Sequence, residues 1–327
     1  WNKLSKIKLL QFDKKFYINL KREVNILSKL NHSSILKFIG YSPIDFNQQS
    51  YPVIVTEYSP NGSLYDVIEL ERKSCPPKLW SDTKKLINIY GIASAMAYLH
   101  SHDIIHRDLK PANILENENF FPKIADFGLS KINHQNNESM TTQSTIGFKG
   151  TLQYTAPEVW TNYSYTKAID VYAFSIIVYE LFEYEEPFKN YDIEMMYSKI
   201  VQNDERPEFT YQIPECYKNL IESCWHQNAK QRPTFREIVK ELRTNKEFIL
   251  DTIDENEFID YVDYVDDIEV LFDSNEELET NITTENKKDY KEKAFPHQQD
   301  QENSETILSS LPNEFFPNLI QNSLPKT

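Results

Sequence analysis

Two short polar clusters carry the residues of this chain that could do chemistry. The first, residues 106–113, reads HRDLKPAN, and the second, residues 126–128, reads DFG, with twelve residues between them. Transfer of a phosphoryl group needs a positioned hydroxyl, neutralised phosphate charge and bound magnesium. The clusters supply carboxylate and amide oxygens, which bind magnesium, and a lysine, which balances phosphate charge. The side chains concerned are Asp108, Lys110, Asn113 and Asp126.

The two clusters, together with Ala156-Pro157-Glu158, resemble the motifs of eukaryotic-type protein kinases. The resemblance implies that Asp108 is the catalytic base, which accepts or orients the proton of the substrate hydroxyl. It implies that Lys110 contacts the transferring phosphate, and that Asn113 and Asp126 hold Mg²⁺ while ATP donates its γ-phosphate.

Two further positions of the clusters have structural roles in that family. The resemblance implies that Phe127 packs under the helix that carries an ion-pair glutamate. Gly128 would let the backbone turn where a side chain would obstruct it.

The downstream sequence follows the same pattern, which extends from about residue 8 to about residue 246. Asp170 opens an almost wholly apolar run to Phe182, and a helix that is apolar on every side is a buried helix. By resemblance, Asp170 caps the backbone of the catalytic loop, and Arg232 pairs with Glu158.

The catalytic loop also indicates the substrate class. Lys110-Pro111-Ala112 favours a serine or threonine acceptor, because tyrosine kinases usually carry Ala-Ala-Arg there. Residues 150–158, GTLQYTAPE, are similar to the substrate-docking loop of serine/threonine kinases, in which Thr151 would help to position the acceptor. Some kinases that prefer basic substrates have a glutamate at the position of Ala112, so Ala112 argues against that preference.

A helix is predicted within residues 16–30, where Leu20, Val24 and Leu27 recur at helical spacing. Glu23 shares their face and resembles the ion-pair glutamate of the regulatory helix; the alternative is a surface glutamate on an amphipathic helix. Its expected partner is Lys8, which would contact the nucleotide.

The expected lysine strand departs from the family pattern. The family usually has alanine where this chain has Lys6, and solvent-facing lysines on edge strands are common, so a surface role for Lys8 stays open. No Gly-x-Gly-x-x-Gly motif occurs in the sequence, and only seven residues precede Lys8. A chain that has lost its first two strands, or one that lacks the phosphate lid, would explain this.

Residues 52–58, PVIVTEY, predict a short buried strand that continues into a connector, and Asn61-Gly62-Ser63 is a turn and helix-capping pattern. This arrangement resembles the kinase hinge. The resemblance implies that Thr56 is the gatekeeper residue and that backbone groups of Glu57 and Ser59 contact adenine.

The segment between residues 126 and 158 resembles an activation segment, and its middle is polar without periodicity. Arg107 precedes the catalytic aspartate and could pair with a phosphate there. Serine and threonine are also ordinary in loops, so individual phosphorylation sites are hypotheses. The candidates are Ser139, Thr141, Thr142, Ser144 and Thr145.

Charge divides the 327-residue chain in two. Residues 1–250 hold 30 basic and 30 acidic side chains, whereas residues 251–327 hold 5 basic and 20 acidic ones, which accounts for the whole net charge of −15. Such acidity argues against binding to nucleic acid or anionic membrane. Three cysteines without paired or metal-ligand spacing fit a reducing compartment, so the sequence predicts a cytoplasmic protein without a membrane segment.

The acidic tail is predicted to change character along its length. Ile259, Val262 and Val265, then Ile268 and Phe272, recur every three to four residues. This spacing favours a short amphipathic helix that docks on the large lobe or on a partner, and a solvated linker is the alternative. The remainder is predicted to be disordered.

These observations predict an α+β, two-lobed protein-kinase fold: residues 1–248 form the kinase domain, with an apparently truncated β-rich lobe to about residue 60 and a mainly helical lobe from about residue 61. Residues 249–327 form the acidic tail. Residues 56–64, TEYSPNGSL, together with residues 30–32 and 38–41, most resemble the tyrosine-kinase-like group of serine/threonine kinases.

The predicted function is phosphorylation of serine or threonine in signalling, with protein substrates and a regulatory protein at the tail as partners. The alternative is a pseudokinase or a kinase fragment that acts as a scaffold or switch. A small-molecule kinase of related fold is disfavoured by residues 150–158.

Overall fold

The computed structural model describes residues 14–45, 51–132, 152–162 and 164–266. Some of the predicted sites lie outside these ranges: Lys8, Thr151, Ser139, Thr141, Thr142, Ser144 and Thr145. The predicted helix turn at Ile268 and Phe272 and the predicted disorder of the tail also concern residues outside them.

Helices are the main secondary structure of the described residues. They are α1 (Lys14–Leu27), α2 (Leu64–Arg72), α3 (Asp82–Ser101), α4 (Pro157–Asn162), α5 (Ala168–Glu183), α6 (Ile193–Met196, followed by a π-helical turn over Tyr197–Gln202), α7 (Glu215–Cys224), α8 (Phe235–Thr244) and α9 (residues 255–266). Within the described ranges, none of these helices is both long and apolar enough to cross a bilayer.

The strands are short and pair antiparallel. They are β1 (Phe38–Ser42), β2 (Val53–Thr56), β3 (Ile104–Ile105), β4 (Ile114–Glu116), β5 (Pro122–Ile124) and β6 (Lys131–Ile132), paired as β1 with β2, β3 with β6 and β4 with β5. With a small strand region at one end and helices at the other, the predicted α+β, two-lobed fold is confirmed.

Helix α1 joins the two lobes. Its residues Leu20 and Val24 pack against Tyr41 in the small lobe. One turn on, Ile26 and Leu27 belong to the main core of the large lobe. The predicted helix is therefore present, and its apolar face spans both lobes.

Helix α5 is the centre of the large lobe. Nearly every side chain from Ile169 to Leu181 is buried, including the polar Ser175 and Glu180. The prediction of a buried helix from the apolar run is confirmed. Helices α3, α7 and α8 pack around α5, because each presents an apolar face to it or to a neighbour.

Local capping sets where several helices begin. Gly62 takes a left-handed φ of 73°, and Ser63 then caps α2 in a capping box with Asp66. The predicted turn and cap at residues 61–63 are therefore confirmed. Thr234 and Glu237 form the same reciprocal arrangement at α8.

The acidic tail begins with a docked helix. In α9, the side chains of Phe258, Tyr261, Val262 and Val265 are buried and belong to the main core, which therefore continues past residue 248. The expectation that Ile259 lies on the apolar face was wrong, because this side chain is 45% exposed. A spacing of three to four residues defines a stripe but not its centre, and the stripe that docks is centred near Tyr261 and Val265.

Candidate active site

The catalytic loop follows β3, and one carboxylate binds its backbone. Asp170, at the start of α5, accepts hydrogen bonds from the backbone N–H groups of His106 and Arg107, each at 2.9 Å. Its Oδ2 also lies 2.9 Å from Nε2 of His100 on α3. Asp170 is buried, so the loop geometry depends on a charged acceptor away from water.

Two backbone positions in this region take conformations that are unfavourable for residues with a side chain. Arg107 has a φ of 72° and Asp126 a φ of 64°. Such positions persist only where their surroundings hold them, and they concentrate at functional sites. At Arg107 the bond to Asp170 is part of what holds the backbone.

The three predicted catalytic side chains lie together. Lys110 Nζ lies 2.7 Å from Asp108 Oδ2. Asn113 Nδ2 donates to the same oxygen at 2.9 Å and to the Asp108 carbonyl at 2.7 Å. A lysine and an amide therefore fix one carboxylate oxygen of Asp108, which leaves Oδ1 as the oxygen that could receive a proton.

The strands β4 and β5 bring Asn113 and Asp126 next to each other. Ile114 pairs with Ile124, and the Ala125 N–H donates to the Asn113 carbonyl at 2.8 Å. Because Asn113 Nδ2 is directed at Asp108, its side-chain oxygen faces away from that carboxylate. The pair offers one amide oxygen and one carboxylate, a donor set that suits Mg²⁺ shared with phosphate oxygens.

The Phe127–Leu129 turn links this loop to α1. Phe127 is fully buried, its ring meets the His106 ring edge-on with centroids 5.2 Å apart, and it shares the main core with Leu27. Arg22 Nη1 donates to the Gly128 carbonyl at 3.4 Å. Glu23 is half-buried on α1.

The predicted hinge residues lie at the end of β2. The Glu57 N–H donates to the Lys37 carbonyl at 2.9 Å, and the Thr56 hydroxyl donates to the Glu57 carbonyl at 3.2 Å. The Glu57 carboxylate pairs with Lys123 at 3.1 Å. The Ser59 hydroxyl oxygen is buried without a hydrogen-bond partner among the described residues. The hinge backbone is thus positioned by the small lobe and by β5.

The predicted ion pair between Arg232 and Glu158 is present and bidentate. Arg232 Nη1 and Nη2 donate to the two carboxylate oxygens of Glu158 at 2.8 and 2.9 Å. Arg232 also donates to the carbonyls of His226 and Ala168. The Arg232 guanidinium is buried and its N–H groups donate to Glu158 and to two backbone carbonyls. It therefore fixes α4 against α5.

A second buried network beside the substrate-docking loop was missed. The Tyr154 hydroxyl donates to Glu180 Oε1, and Arg72 Nη2 lies 2.9 Å from Glu180 Oε2. Burial raises the pKa of Glu180 to about 7, while Tyr154 and Arg72 pull it back down. An acidic side chain inside the otherwise apolar α5 was the sequence feature that could have revealed this network.

The Arg107 side chain lies near an aromatic ring and near another cation, Arg22. Its guanidinium stacks over the Tyr165 ring at 4.4 Å. Burial lowers its pKa, and the nearby cation Arg22 lowers it further, whereas Tyr165 raises it. The cations of Arg107 and Arg22 thus lie close enough for their charges to interact, and Arg22 also contacts the Phe127–Leu129 turn.

The described residues contain no group of three or more His, Cys, Asp and Glu side chains arranged to bind a metal ion. Mg²⁺ does not require such a group, because it is usually held by one or two carboxylates together with phosphates and water.

The family model for protein tyrosine and serine/threonine kinases matches residues 5–242. A Dictyostelium discoideum protein named probable serine/threonine-protein kinase drkC is 35% identical over 243 residues, which cover 73% of this chain and 31% of the relative.

Proteins from two other organisms match this chain to a similar degree. A putative serine/threonine-protein kinase/receptor R826 of Acanthamoeba polyphaga mimivirus is 34% identical over 70% of this chain and 13% of its own length. The Xenopus laevis mitogen-activated protein kinase kinase kinase 13-A is 33% identical over 72% of this chain and 23% of its length. The matched part is therefore less than a third of each of these relatives.

Proposed function

We propose that this chain, which belongs to the protein tyrosine and serine/threonine kinase family, transfers the γ-phosphate of ATP to serine and threonine hydroxyls of protein substrates in signalling. The resemblance to serine/threonine kinases of the tyrosine-kinase-like group is confirmed by the relatives. The observation that carries the proposal is the Asp108 carboxylate, whose Oδ2 is fixed by Lys110 and Asn113 beside Asp126.

In the proposed reaction Asp108 receives the proton of the attacking hydroxyl. Its Oδ2 is engaged by two donors, so the hydroxyl would approach Oδ1. The new bond joins the hydroxyl oxygen to phosphorus, the bond from phosphorus to the bridging oxygen breaks, and ADP leaves with that electron pair. Lys110, which starts 2.7 Å from Asp108, could contact the phosphoryl oxygens as negative charge redistributes.

The nucleotide and the metal would lie between the hinge and Asp126. Asn113 and Asp126 would hold Mg²⁺, which when bound neutralises phosphate charge and orients the phosphates. Thr56, Glu57 and Ser59 would face the adenine. At Glu57 the N–H and the carbonyl already have partners within the chain, so adenine contact there would share or exchange a bond.

Lys8 and Glu23 complete the proposed nucleotide site. A lysine paired with the glutamate of α1 would balance the phosphates. Glu23 lies half-buried on α1, whose Arg22 contacts the turn after Asp126. Replacement of Glu23 by glutamine would then raise the KM for ATP, and an unchanged KM would argue for the surface alternative.

The substrate-docking loop would select the acceptor. Thr151 would orient the hydroxyl near Lys110, and Tyr154 would hold the loop onto α5 through Glu180. Ala112 in the catalytic loop supports acceptor sequences without a requirement for arginine. A peptide library with phosphorylation scored at each position would test this selectivity.

Regulation by phosphorylation is proposed at the activation segment. A phosphate at Ser139, Thr141, Thr142, Ser144 or Thr145 adds about −1.5 to −2 of charge at neutral pH. The cations Arg107 and Arg22 are close enough for their charges to interact, and a phosphate would relieve that repulsion. Phosphopeptide mass spectrometry on active protein should find the modification, and replacing all five residues with alanine should lower activity.

A cytoplasmic location and a regulatory partner are also proposed. The cysteines Cys75, Cys216 and Cys224 are free, which is typical of a reducing compartment. The acidic tail would contact a regulatory protein, with an affinity that falls as salt rises. Capture of partners by the full chain, compared at low and high salt, would test this contact.

The direct test of the proposed function replaces Asp108 by asparagine. This change removes the proton acceptor and keeps the shape, so the variant should bind nucleotide, unfold at the same temperature and lose phosphate transfer. Transfer at the wild-type rate would contradict the role of Asp108. A wild-type chain that binds ATP without transfer would instead favour the pseudokinase alternative, in which the chain acts as a scaffold or switch.

A further inference from the structure

Helix α9 covers one face of α3 with aromatic side chains. The rings of Phe258 and Tyr261 meet the Tyr90 ring edge-on, with centroids 5.6 and 6.4 Å apart. The Tyr261 ring also packs on Phe121, with centroids 4.7 Å apart. Aromatic pairs of this kind contribute beyond the area they bury, so α9 is held by packing along its length.

Both ends of α9 are tied to other helices. Before the first turn, the Asp254 N–H donates to the Thr83 hydroxyl at 2.9 Å, and Glu257 pairs with Lys84 at 2.5 Å. At the far end, Asp266 pairs with Arg243 of α8. These contacts fix which turn of α9 lies against which turn of α3.

Gly91 in the middle of α3 provides the space in which the Tyr261 hydroxyl lies. A Cβ at this position would overlap the Tyr261 hydroxyl oxygen, and it would lie 2.7 Å from Pro122 Cγ and 3.0 Å from Ser34 Oγ. Glycine in the interior of a helix costs about 1 kcal/mol relative to alanine. At Gly91 that cost is offset by a close approach that no side chain would permit.

The Tyr261 hydroxyl also bonds to the segment that follows α1. Tyr261 Oη and Ser34 Oγ are 2.7 Å apart, and both residues are buried. The same segment is bonded to α3, since Asn31 N–H donates to the Tyr98 hydroxyl at 3.2 Å and His32 Nε2 lies 3.2 Å from Ser94 Oγ. Ser34 is thus held between α3 and α9.

From Ser34 the contacts continue to the proposed magnesium loop. The Ile124 N–H donates to the Ser34 carbonyl at 2.8 Å, and the Leu36 N–H donates to the Ile124 carbonyl at 2.9 Å. Ile124 lies two residues before Asp126, and the next residue, Ala125, is bonded to Asn113. Residues 31–36 therefore connect α1, α9 and the strand that leads into Asp126.

We propose that Tyr261 is a positioning residue for the active site, because α9 clamps residues 31–36 against α3 and thereby fixes both the end of α1 and the strand before Asp126. The effect on catalysis rests on the proposed kinase function, whereas the clamp itself does not.

The test compares Tyr261→Phe with Tyr264→Phe in the full chain. Both changes remove one phenolic oxygen from α9, but Tyr264 is 46% exposed. The readout is hydrogen exchange of the amides of residues 31–36 and of Ile124. One neutral hydrogen bond corresponds to about fivefold in a local equilibrium, so Tyr261→Phe should speed exchange about fivefold and Tyr264→Phe should leave it unchanged.

Kinetics provide a second readout that a merely structural role would not change. Tyr261→Phe should lower kcat by up to about fivefold, with little change in the KM for a peptide, because the clamp acts on residues 31–36 and the strand before Asp126, and not on the substrate-docking loop. If the wild type transfers no phosphate, the proposed function fails while the exchange result still decides the clamp. Equal exchange in the two variants would overturn the clamp.

A double-mutant cycle tests the fit at Gly91. Gly91→Ala should destabilise the wild-type chain more than it destabilises the Tyr261→Phe chain, since the closest of the three contacts involves the hydroxyl. The contacts with Pro122 and Ser34 are common to both backgrounds and cancel in the comparison. Equal destabilisation in both backgrounds would show that Gly91 does not accommodate Tyr261.

Discussion

The catalytic loop and helix α9 are both held against α3 and its neighbours, but by different forces. The loop depends on a buried charge: Asp170 accepts two backbone N–H groups and contacts His100. Helix α9 depends mainly on aromatic packing and on the neutral bond from Tyr261 to Ser34, with ion pairs to Lys84 and Arg243 near its two ends. Bonds to a charged group contribute about 1.5–3 kcal/mol and neutral ones about 0.5–1.5 kcal/mol.

The difference bears on what each region can do. The loop has its backbone fixed by a single buried carboxylate, that of Asp170. A helix held mainly by apolar packing, one buried hydroxyl and two ion pairs near its ends can loosen without collapse of the core, because these contacts are individually small. Changes that remove the anion under the catalytic loop are therefore expected to abolish phosphate transfer. Changes in α9 are expected to reduce stability and activity only in part.

The largest effect is expected from Asp170→Ala. Two buried N–H groups would lose their acceptor, at a cost of about 1–3 kcal/mol each, and the left-handed backbone at Arg107 would lose support. Urea unfolding should show a loss of about 2–6 kcal/mol, and phosphate transfer should disappear.

Two further variants control that result. Asp170→Asn keeps one acceptor oxygen and should lose less stability. Glu205→Gln breaks an ion pair with Lys199 in which both side chains are about one-third or more exposed, and it should leave stability and activity unchanged. If Asp170→Ala costs no more than Glu205→Gln, the buried anion is not what holds the loop.

Glu116→Gln is expected to change the free energy of unfolding by an intermediate amount. Glu116 lies between the catalytic loop and α9. Glu116 ends β4, both of its carboxylate oxygens lack hydrogen-bond partners among the described residues, and burial raises its pKa to about 8. The Asn88 amide and the Lys84 cation on α3 lower that pKa, and its charge would also raise the pKa of Tyr261 on α9.

The sign of the pH dependence follows from that raised pKa. Below pH 4.5, which is the ordinary pKa of a glutamate, the Glu116 carboxyl is protonated in both the folded and the unfolded state. In that range it makes no pH-dependent contribution to the free energy of unfolding. As the pH rises towards 8, only the unfolded state releases the proton, so Glu116 lowers stability by about 1.4 kcal/mol per pH unit. The gain of Glu116→Gln over wild type should therefore grow from about pH 5 to pH 8 in thermal unfolding. A gain independent of pH would show that Glu116 is not protonated in the folded chain.

The smallest effect is expected from Asp254→Ala at the start of α9. Asp254 Oδ1 accepts the N–H groups of Asn256 and Glu257, and loss of such a cap costs about 1 kcal/mol. Amides of α9 should exchange faster while those of α5 do not change. Asp260→Ala, on the exposed side of α9, is the matched control, and equal exchange in the two variants would contradict the capping role.

The sequence predicted one of these regions better than the other, for physical reasons. The candidate catalytic loop carries its residue types at short spacing, so the sequence alone could predict that Asp108, Asn113 and Asp126 form one site, and the structure brings them close together. The burial of α5 could likewise be predicted from its apolar composition. What the fold adds there is the Tyr154–Glu180–Arg72 network, which joins residues far apart in the chain.

Helix α9 could be predicted only in part. Its spacing indicated a helix, but the docked face depends on the shape of α3 at Gly91. The bond from Ser34 to Tyr261 spans 227 positions, and no local pattern encodes it. For this reason the exposed Ile259 was assigned to the buried face, and the residues that dock there, Phe258 and Tyr261, were not singled out.

The most direct measurement of the central claim is phosphate transfer from labelled ATP with Mg²⁺ to two peptides that differ only in the acceptor, one serine and one tyrosine. We expect label on the serine peptide, little on the tyrosine peptide, and none on either with Asp108→Asn. Preferential labelling of tyrosine, or undiminished labelling by Asp108→Asn, would contradict the central claim.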